Sequence, residues 1–184
     1  MRRVVPGVNL QSGDFELFGL PQRFAQDRAA IDACWKDLQR QAHPDKFAAQ
    51  GAAAQRLAMQ WSVRINEAYQ RLRDPLRRAA YLCELNGAPV NAENNTAMPA
   101  AFLMQQMAWR ESLDDASSAA ELDALDAQVV SARRDALRKC EHFLDVEHDY
   151  GQAAQQVRCL MFIERFAHDI EARLERMDTA DKRQ

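Results

Sequence analysis

Residues 27–73 read DRAAIDACWKDLQRQAHPDKFAAQGAAAQRLAMQWSVRINEAYQRLR, and this stretch decides the fold of the first half of the chain. Apolar residues recur at helical spacing on both sides of the tripeptide His43-Pro44-Asp45. Proline lacks a backbone N–H and ends the first helix, and it pushes the preceding residue into extended geometry. We therefore expect a rigid, outward-facing corner between two helices. Such a corner suits the acid–base pair of an enzyme, a docking tip or an ordinary loop.

The helix before the corner is predicted to begin after Asp27, a capping residue, and to end at Ala42. Lys36 and Arg40 lie one turn apart, opposite its apolar face, and Arg28 lies on a flank near the helix start. A longer helix is predicted after the corner. The two apolar faces comprise Ile31, Trp35, Leu38 and Ala42 in the first helix and Leu57, Trp61, Ile65, Ala68 and Leu72 in the second, at about 52–73.

Two shorter helices are predicted to flank this pair. Residues 14–18 form a brief apolar turn of helix that Gly19 stops. Pro75 suits the first turn of another helix, at about 76–85, and Gly87 ends it.

The second half of the chain is predicted to be a three-helix bundle with short connections. Neither Gly nor Pro occurs from residue 100 to 150, which is too long for one typical globular helix, so we expect a break at 114–118. Gly151 marks the next turn. The chain is thus predicted to be all-α, with a first domain at 1–86, an aperiodic linker at 87–98 and a second domain at 99–184 whose helices occupy about 99–113, 118–147 and 152–177.

The composition is that of a soluble globular protein, with 28% charged and 47% hydrophobic residues. We see no signal peptide and no run of ~20 apolar residues to span a membrane. Four widely spaced cysteines without a C-x-x-C motif predict reduced, mostly buried thiols and a cytoplasmic protein. Cys140, Glu141 and His142 with His148 are the nearest approach to a metal cluster, but on one helix they are more typical of ordinary surface. We expect no metal and no cofactor.

Charge is unevenly distributed along the chain. Residues 1–86 carry 13 Lys and Arg against 9 Asp and Glu, a net charge of +4, whereas residues 87–184 carry 11 against 18, a net charge of −7. Such asymmetry favours two units with different partners, with chance surface composition as the alternative. The first half is too weakly basic, and too poor in interleaved aromatic residues, to indicate nucleic-acid binding.

The predicted helix at 99–113 has two apolar sides at 100° per residue. They comprise Phe102, Trp109 and Leu113 on one side and Leu103, Met104 and Met107 about half a turn away, with Glu111 at the edge of the second group. One apolar face suffices to bury a surface helix, so the second favours a protein-binding site. Burial of both faces is the alternative. In the last predicted helix, Phe162 points away from the apolar stripe.

The helix–corner–helix arrangement, with HPDKF at 43–47 and NEAY at 66–69, resembles a J-domain. More closely, the chain resembles the HscB family, the J-protein co-chaperones of iron–sulfur cluster assembly. The resemblance covers nearly the whole chain. The segments that carry it are FELFGLP at 15–21, LQRQ at 38–41, DPLRRAAYL at 74–82, AFLMQQ at 101–106 and WRE at 109–111.

The resemblance implies a co-chaperone rather than an enzyme, with no catalytic residue. It implies that a DnaK-type chaperone, HscA in bacteria, is bound and its ATPase stimulated by His43, Pro44, Asp45 and Lys46 together with Arg28, Lys36 and Arg40. It further implies that the cluster scaffold protein IscU is bound by Leu103, Met104, Met107, Glu111 and Phe162. Ala108 stands where a charged family residue is expected, so the rim of that contact is expected to differ.

Two alternatives remain at this point. One is a J-protein of the same build that serves a different client. The other is a small helical hydrolase that uses His43 and Asp45, for which the sequence supplies neither a nucleophile elbow nor a phosphate-binding glycine loop.

Overall fold

The computed structural model describes residues 9–91 and 98–181, and over those ranges it contains helices and no β-strand, which confirms the predicted all-α class. Seven α-helices are described. They are α1 Asp14–Phe18, α2 Arg28–Ala42, α3 Ala52–Arg73, α4 Pro75–Leu85, α5 Ala100–Asp115, α6 Ala119–Glu141 and α7 Tyr150–Asp181. A 3₁₀ helix at Pro44–Gln50 follows α2, and a π-helix at His142–Glu147 follows α6.

The chain divides into two compact units, residues 1–82 and 83–184. This boundary falls inside α4, a few residues before the end of the predicted first domain at 86. Residues 92–97 of the predicted linker lie outside the described residues. The domain limits drawn from the sequence therefore stay a prediction.

The first unit is built on an antiparallel hairpin of α2 and α3. Trp35 near the middle of α2 stacks on Tyr69 of α3, with ring centroids 4.6 Å apart. The Ser62 hydroxyl donates to the Ala42 carbonyl at 3.3 Å, so the end of α2 meets the middle of α3. The buried apolar side chains of this unit include Phe15, Leu17, Ile31, Leu38, Ile65, Ala68, Leu72 and Leu82. Of the predicted stripes, Trp35 and Leu57 are only partly buried.

A buried ion pair joins α1 to α3. The fully buried Asp14 carboxylate accepts from Arg64 Nη2 at 2.6 Å and from Arg71 Nη1 at 3.0 Å. The Arg71 guanidinium also lies over the Tyr81 ring, 4.8 Å from its centroid. Asp14 looks in the sequence like an ordinary first-turn acid. The signal that could have revealed it is the seven-residue spacing of Arg64 and Arg71, which places both beside the buried stripe of α3.

The second unit contains the expected bundle of α5, α6 and α7. Ser118 and Glu121 form a capping box at the start of α6, so the break after α5 falls at 116–118 and α5 runs two residues beyond its predicted end. The buried apolar side chains of the bundle include Leu122, Leu125, Val129, Leu144, Val157, Leu160, Ile163 and Ile170.

The turn between α6 and α7 differs from the prediction. The sequence placed it at Gly151, but Gly151 lies inside α7, and the left-handed residue is His148, with φ 55°. The His148 ring nitrogen Nδ1 lies 3.0 Å from the Leu144 carbonyl, and Asp149 accepts the Gln152 N–H at 3.0 Å. These local bonds stabilise a turn without glycine. The predicted helix 118–147 also changes from α to π geometry after Glu141.

Candidate functional site

The corner between α2 and α3 has the geometry predicted from its proline. His43 ends α2 in an extended conformation, with φ −60° and ψ 125°, because the proline ring excludes the helical region for the residue before it. Pro44 then opens the 3₁₀ helix, where its missing N–H costs nothing. The chain therefore reverses direction within a short connection.

His43 and Asp45 both project into solvent at this corner. Their side chains are 57% and 90% exposed, and His43 Nδ1 lies 3.6 Å from Asp45 Oδ2. The Asp45 backbone N–H also points to His43 Nδ1, at 3.4 Å. Lys46 is exposed beside them. The three side chains thus form a polar tip that a partner could contact. The contacts between His43 and Asp45 within this tip are long, at 3.4 and 3.6 Å.

Lys36 and Arg40 are exposed on α2, as predicted. Arg40 pairs with Asp37 at 2.6 Å, but both side chains are mostly in solvent, where such pairs contribute little. Lys36 forms no ion pair with any residue in the described ranges. Both cations are therefore available to an acidic partner.

Arg28 differs from the other two cations, because it also holds the open end of the hairpin. Its Nε lies 2.9 Å from Asp32, which also accepts from the Tyr69 hydroxyl at 2.9 Å. The hydrogen bond to Asp32 raises the pKa of Arg28, and the bonds from Arg28 and Tyr69 lower the pKa of Asp32. Arg28 Nη1 reaches the Arg73 carbonyl at 3.4 Å. A substitution at Arg28 would thus change structure as well as charge.

A polar clamp supports the corner from within the hairpin, and sequence reasoning did not single it out. The Asn66 side-chain oxygen accepts from Trp35 Nε1 at 2.9 Å and from Gln39 Nε2 at 2.7 Å. Gln39 also donates to the Ser62 carbonyl at 3.2 Å. These bonds join the end of α2 to α3. The corner is therefore attached to two helices whose relative position is constrained.

In the second unit, α5 uses one apolar face for packing and leaves the other in solvent. Trp109 is buried, whereas Leu103, Met104 and Met107 are 41%, 73% and 72% exposed. Glu111 is exposed at their edge. The prediction of two faces is confirmed, and the alternative that both are buried is wrong for the described structure.

Phe162 lies in an aromatic cluster rather than on an open surface. Its ring meets Phe102 edge-on at 5.8 Å and stacks on Phe166 at 5.8 Å, and Arg110 lies over it at 5.5 Å. Its side chain is partly buried. Phe162 therefore supports α5 from behind, and its predicted role in binding stays a prediction.

Across residues 9–91 and 98–181, no three His, Cys, Asp or Glu side chains come together as metal ligands would. None of the helices in the described part of the chain is both long and apolar enough to cross a bilayer.

Three comparisons relate the chain to known proteins. The family model described as the HSCB C-terminal oligomerisation domain matches residues 98–171. The co-chaperone protein HscB homolog of Burkholderia multivorans is 53% identical over 175 residues, which cover 94% of this chain and 99% of the relative. The homolog of Burkholderia mallei is 53% identical over 174 residues, with 93% and 99% covered.

Solved structures agree with this relationship. The chaperone HscB from Vibrio cholerae superposes with a TM-score of 0.77 at 35% identity, covering 90% of this chain and 99% of that one. The human co-chaperone protein HscB has the same fold, with a TM-score of 0.82 at 23% identity over 90% and 83% of the two chains.

The fold and the exposed His43-Pro44-Asp45 corner define a J-domain protein with a helical second domain. The relatives that match along nearly the whole chain carry the names of co-chaperones. The chain belongs to the HscB family, the J-domain co-chaperones of iron–sulfur cluster assembly.

Proposed function

We propose that this chain stimulates the ATPase of a DnaK-type chaperone, HscA, and delivers the iron–sulfur scaffold protein IscU to it in the cytoplasm. The His43-Pro44-Asp45 corner, with Lys46 and the cations of α2, contacts the chaperone. The exposed side of α5 contacts the scaffold. Maturation of iron–sulfur proteins follows from bringing the two together.

The observation that carries this proposal is the presence of two exposed surfaces of opposite chemistry, one in each unit. The corner is polar, and its imidazole and carboxylate remain in water at 57% and 90% exposure. The α5 surface is apolar and contains two methionines that are more than two-thirds exposed. Two such surfaces suit a protein that binds two partners at once.

The chaperone contact is supported by the rigidity of the corner. Binding loses less conformational entropy when the contacting groups are already held in place. Pro44 restricts the backbone, and the clamp at Asn66 ties α2 to α3. Exposed cations at Lys36 and Arg40 would speed the encounter with an acidic surface.

The scaffold contact is supported by the character of the α5 surface. Methionine side chains are flexible and polarisable, so they adapt to an apolar partner surface. Leu103, Met104 and Met107 occupy neighbouring positions on successive turns, and Glu111 adds a charge at their rim. A docked partner would remove this apolar area from water.

A hydrolase that uses His43 and Asp45 is disfavoured by their exposure. General acid–base catalysis needs a positioned substrate, and its electrostatic effects are strongest where water is excluded. Side chains exposed at 57% and 90% supply neither condition. The second alternative, a different client, concerns only the partner of the α5 surface.

The test is a steady-state ATPase assay of the cognate HscA with and without this chain and IscU. We expect stimulation by the chain alone and a further increase when the scaffold is present. Asp45→Asn should remove the stimulation, whereas Asp123→Asn, at an exposed position on α6, should leave it intact. Stimulation by the Asp45→Asn variant at the wild-type level would contradict the proposal. A titration of the chain with IscU then decides the client, since no binding would mean that the α5 surface serves another protein.

A further inference from the structure

A charged cleft of about 380 Å³ lies between α5 and α7 in the second unit. Three arginines line it, Arg110 from α5 and Arg173 and Arg176 from α7. Asp114 and Asp169 also line it, so the cleft carries one net positive charge. The proposed chaperone and scaffold contacts make no use of these arginines.

Within the described ranges, the arginines of the cleft form no direct ion pairs. Among the residues that the structure describes, no carboxylate oxygen lies within 4.0 Å of Arg110, Arg173 or Arg176. Arg176 donates through Nε to the Ala172 carbonyl of its own helix at 2.9 Å, which leaves its two terminal nitrogens for other acceptors. An incoming anion would therefore find donors without displacing a carboxylate.

Arg173 has unused hydrogen-bonding capacity within the described part of the chain. Among the residues that the structure describes, its buried Nε has no hydrogen-bond partner, and its Nη2 reaches only the Ala116 carbonyl, at 3.4 Å. Buried polar groups in folded proteins are almost always hydrogen-bonded, since an unpaired one costs stability. Arg173 also lines the cleft, and a guanidinium can bind one carboxylate through two parallel hydrogen bonds.

One aromatic side chain, Phe166, lines the cleft among its charged residues, and it is backed by further aromatic rings. Phe166 is 2% exposed and stacks on Trp109 at 5.6 Å. Phe162 stacks on the Phe166 ring and lies under the Arg110 guanidinium. Low-polarity side chains lower the local dielectric constant, so an anion held there interacts more strongly than it would in open water.

The cleft continues the exposed surface of α5. At 100° per residue, Arg110 and Asp114 each lie within about 20° of Leu103 around the helix axis. They follow Met107 by one and two turns. A partner seated on Leu103, Met104 and Met107 would therefore extend over the cleft at the C-terminal end of α5.

We propose that the cleft formed by Arg110, Arg173 and Arg176 binds an aspartate or glutamate side chain of the scaffold that docks on α5. This inference rests on the proposed function, because it assigns a further contact to the same partner. The apolar surface supplies most of the attraction, and the arginine cleft sets the orientation in which the scaffold is held.

The first test measures the affinity for IscU and the melting temperature of Arg173→Met. Charge-assisted hydrogen bonds contribute enough that we expect affinity to fall roughly tenfold. Thermal stability should stay at or above the wild-type level, because methionine fills similar volume without a buried, unpaired donor. Arg110→Gln should give a similar loss of affinity. Arg134→Met, at an exposed arginine of α6, is the matched control and should bind normally.

A double-mutant cycle completes the test by changing each acidic residue of the scaffold in turn to its amide. One such scaffold variant should bind the wild-type chain with about tenfold lower affinity than unaltered IscU does. The same scaffold change should leave the affinity for the Arg173→Met chain almost unaltered. Wild-type affinity of Arg173→Met, or the absence of any coupled carboxylate, would overturn the cleft assignment. The proposed function would survive failure of the cleft assignment if the Leu103→Ala/Met104→Ala variant loses its binding to IscU. If the unaltered chain binds no scaffold, both proposals are wrong.

Discussion

The corner of the first unit and the α5 surface of the second are both exposed, but they are held in place by different forces. Hydrogen bonds hold the corner, with Asn66 joining two side chains of α2 at 2.9 and 2.7 Å. Aromatic packing holds α5, where Trp109 stacks on Phe166 and Phe102 meets Phe162 edge-on. The difference suits their proposed partners, because a polar tip needs directional support and an apolar surface needs a backing that excludes water.

The same contrast appears in the interiors of the two units. The first unit buries the Asp14 carboxylate between two arginines. The second buries three thiols, Cys83, Cys140 and Cys159, and burial raises the pKa of each. Both units have apolar cores, but the first adds a buried ion pair and the second adds buried thiols. Each of the following experiments changes one side of this comparison.

The largest effect is expected from His43→Gln. This change should abolish stimulation of the HscA ATPase and leave the melting temperature unchanged, since the side chain is 57% exposed. The measurement pairs the ATPase assay with a thermal melt. His168→Gln, at an exposed histidine of α7, is the control. A marked drop in melting temperature would show that His43 is structural and that the corner is not a docking tip.

The combined change Leu103→Ala, Met104→Ala and Met107→Ala should weaken IscU binding next most strongly. Truncating apolar anchors at the centre of an interface costs about 2 kcal/mol or more, or roughly 30-fold in affinity. Because these side chains are exposed, the fold should keep its stability. Isothermal titration and thermal melting check the two expectations.

Phe162→Ala is the matching change on α7, at a residue that packs against the buried side of α5. Because the Phe162 ring contacts Phe102 and Phe166, its removal should lower the free energy of unfolding by about 2 kcal/mol. Urea unfolding measures this difference. Equal stability in Phe162→Ala and the triple variant would mean that the two sides of α5 are not distinct.

High pH should destabilise the second unit through its thiols. Burial raises the pKa of Cys140 to about 12 and that of Cys83 and Cys159 to about 11, against 9.0 for an unperturbed thiol. The unfolded chain loses these protons above pH 9 while the folded chain keeps them, so stability falls between about pH 9 and the folded pKa values. Each thiol contributes a slope approaching ~1.4 kcal/mol per pH unit in that window.

Urea unfolding at several pH values from 8 to 11 measures this slope. Cys140→Ala, which lacks one of the thiols, should show a shallower decline above pH 9 than the wild-type chain. Cys34→Ala serves as the comparison in the first unit, where the thiol is only partly buried. Parallel pH profiles for Cys140→Ala and the wild-type chain would contradict the expectation.

The smallest effect is expected from Lys36→Ala with Arg40→Ala. These exposed cations should speed association with the chaperone about fivefold at low salt, and the advantage should shrink near physiological ionic strength. Association rates measured over a salt series check this. Arg77→Ala, at an exposed arginine of α4, is the control. A loss that is the same at every salt concentration would indicate a direct contact instead of steering.

Much of the fold follows from local rules that act along the sequence. Asp27 caps α2 as predicted, its side chain accepting the Ala29 N–H at 2.9 Å, and Gly19 ends α1 in the left-handed conformation. His43 is extended because Pro44 follows it. These outcomes depend on neighbours in the chain, so a single sequence contains them. The turn at His148 escaped prediction, because its stabilising bonds involve no glycine or proline.

By itself, the sequence determined the helices, the polar corner and the two-sided character of α5, because proline, glycine and helical periodicity act over a few residues. Only the tertiary structure decided which side of α5 is exposed, since that depends on which side meets Phe162 and Phe166 of α7. It alone joined Asp14 to Arg64 and Arg71, and Arg110 to the cleft with Arg173. Those contacts connect residues 50 or more positions apart, and no local rule of the backbone specifies them.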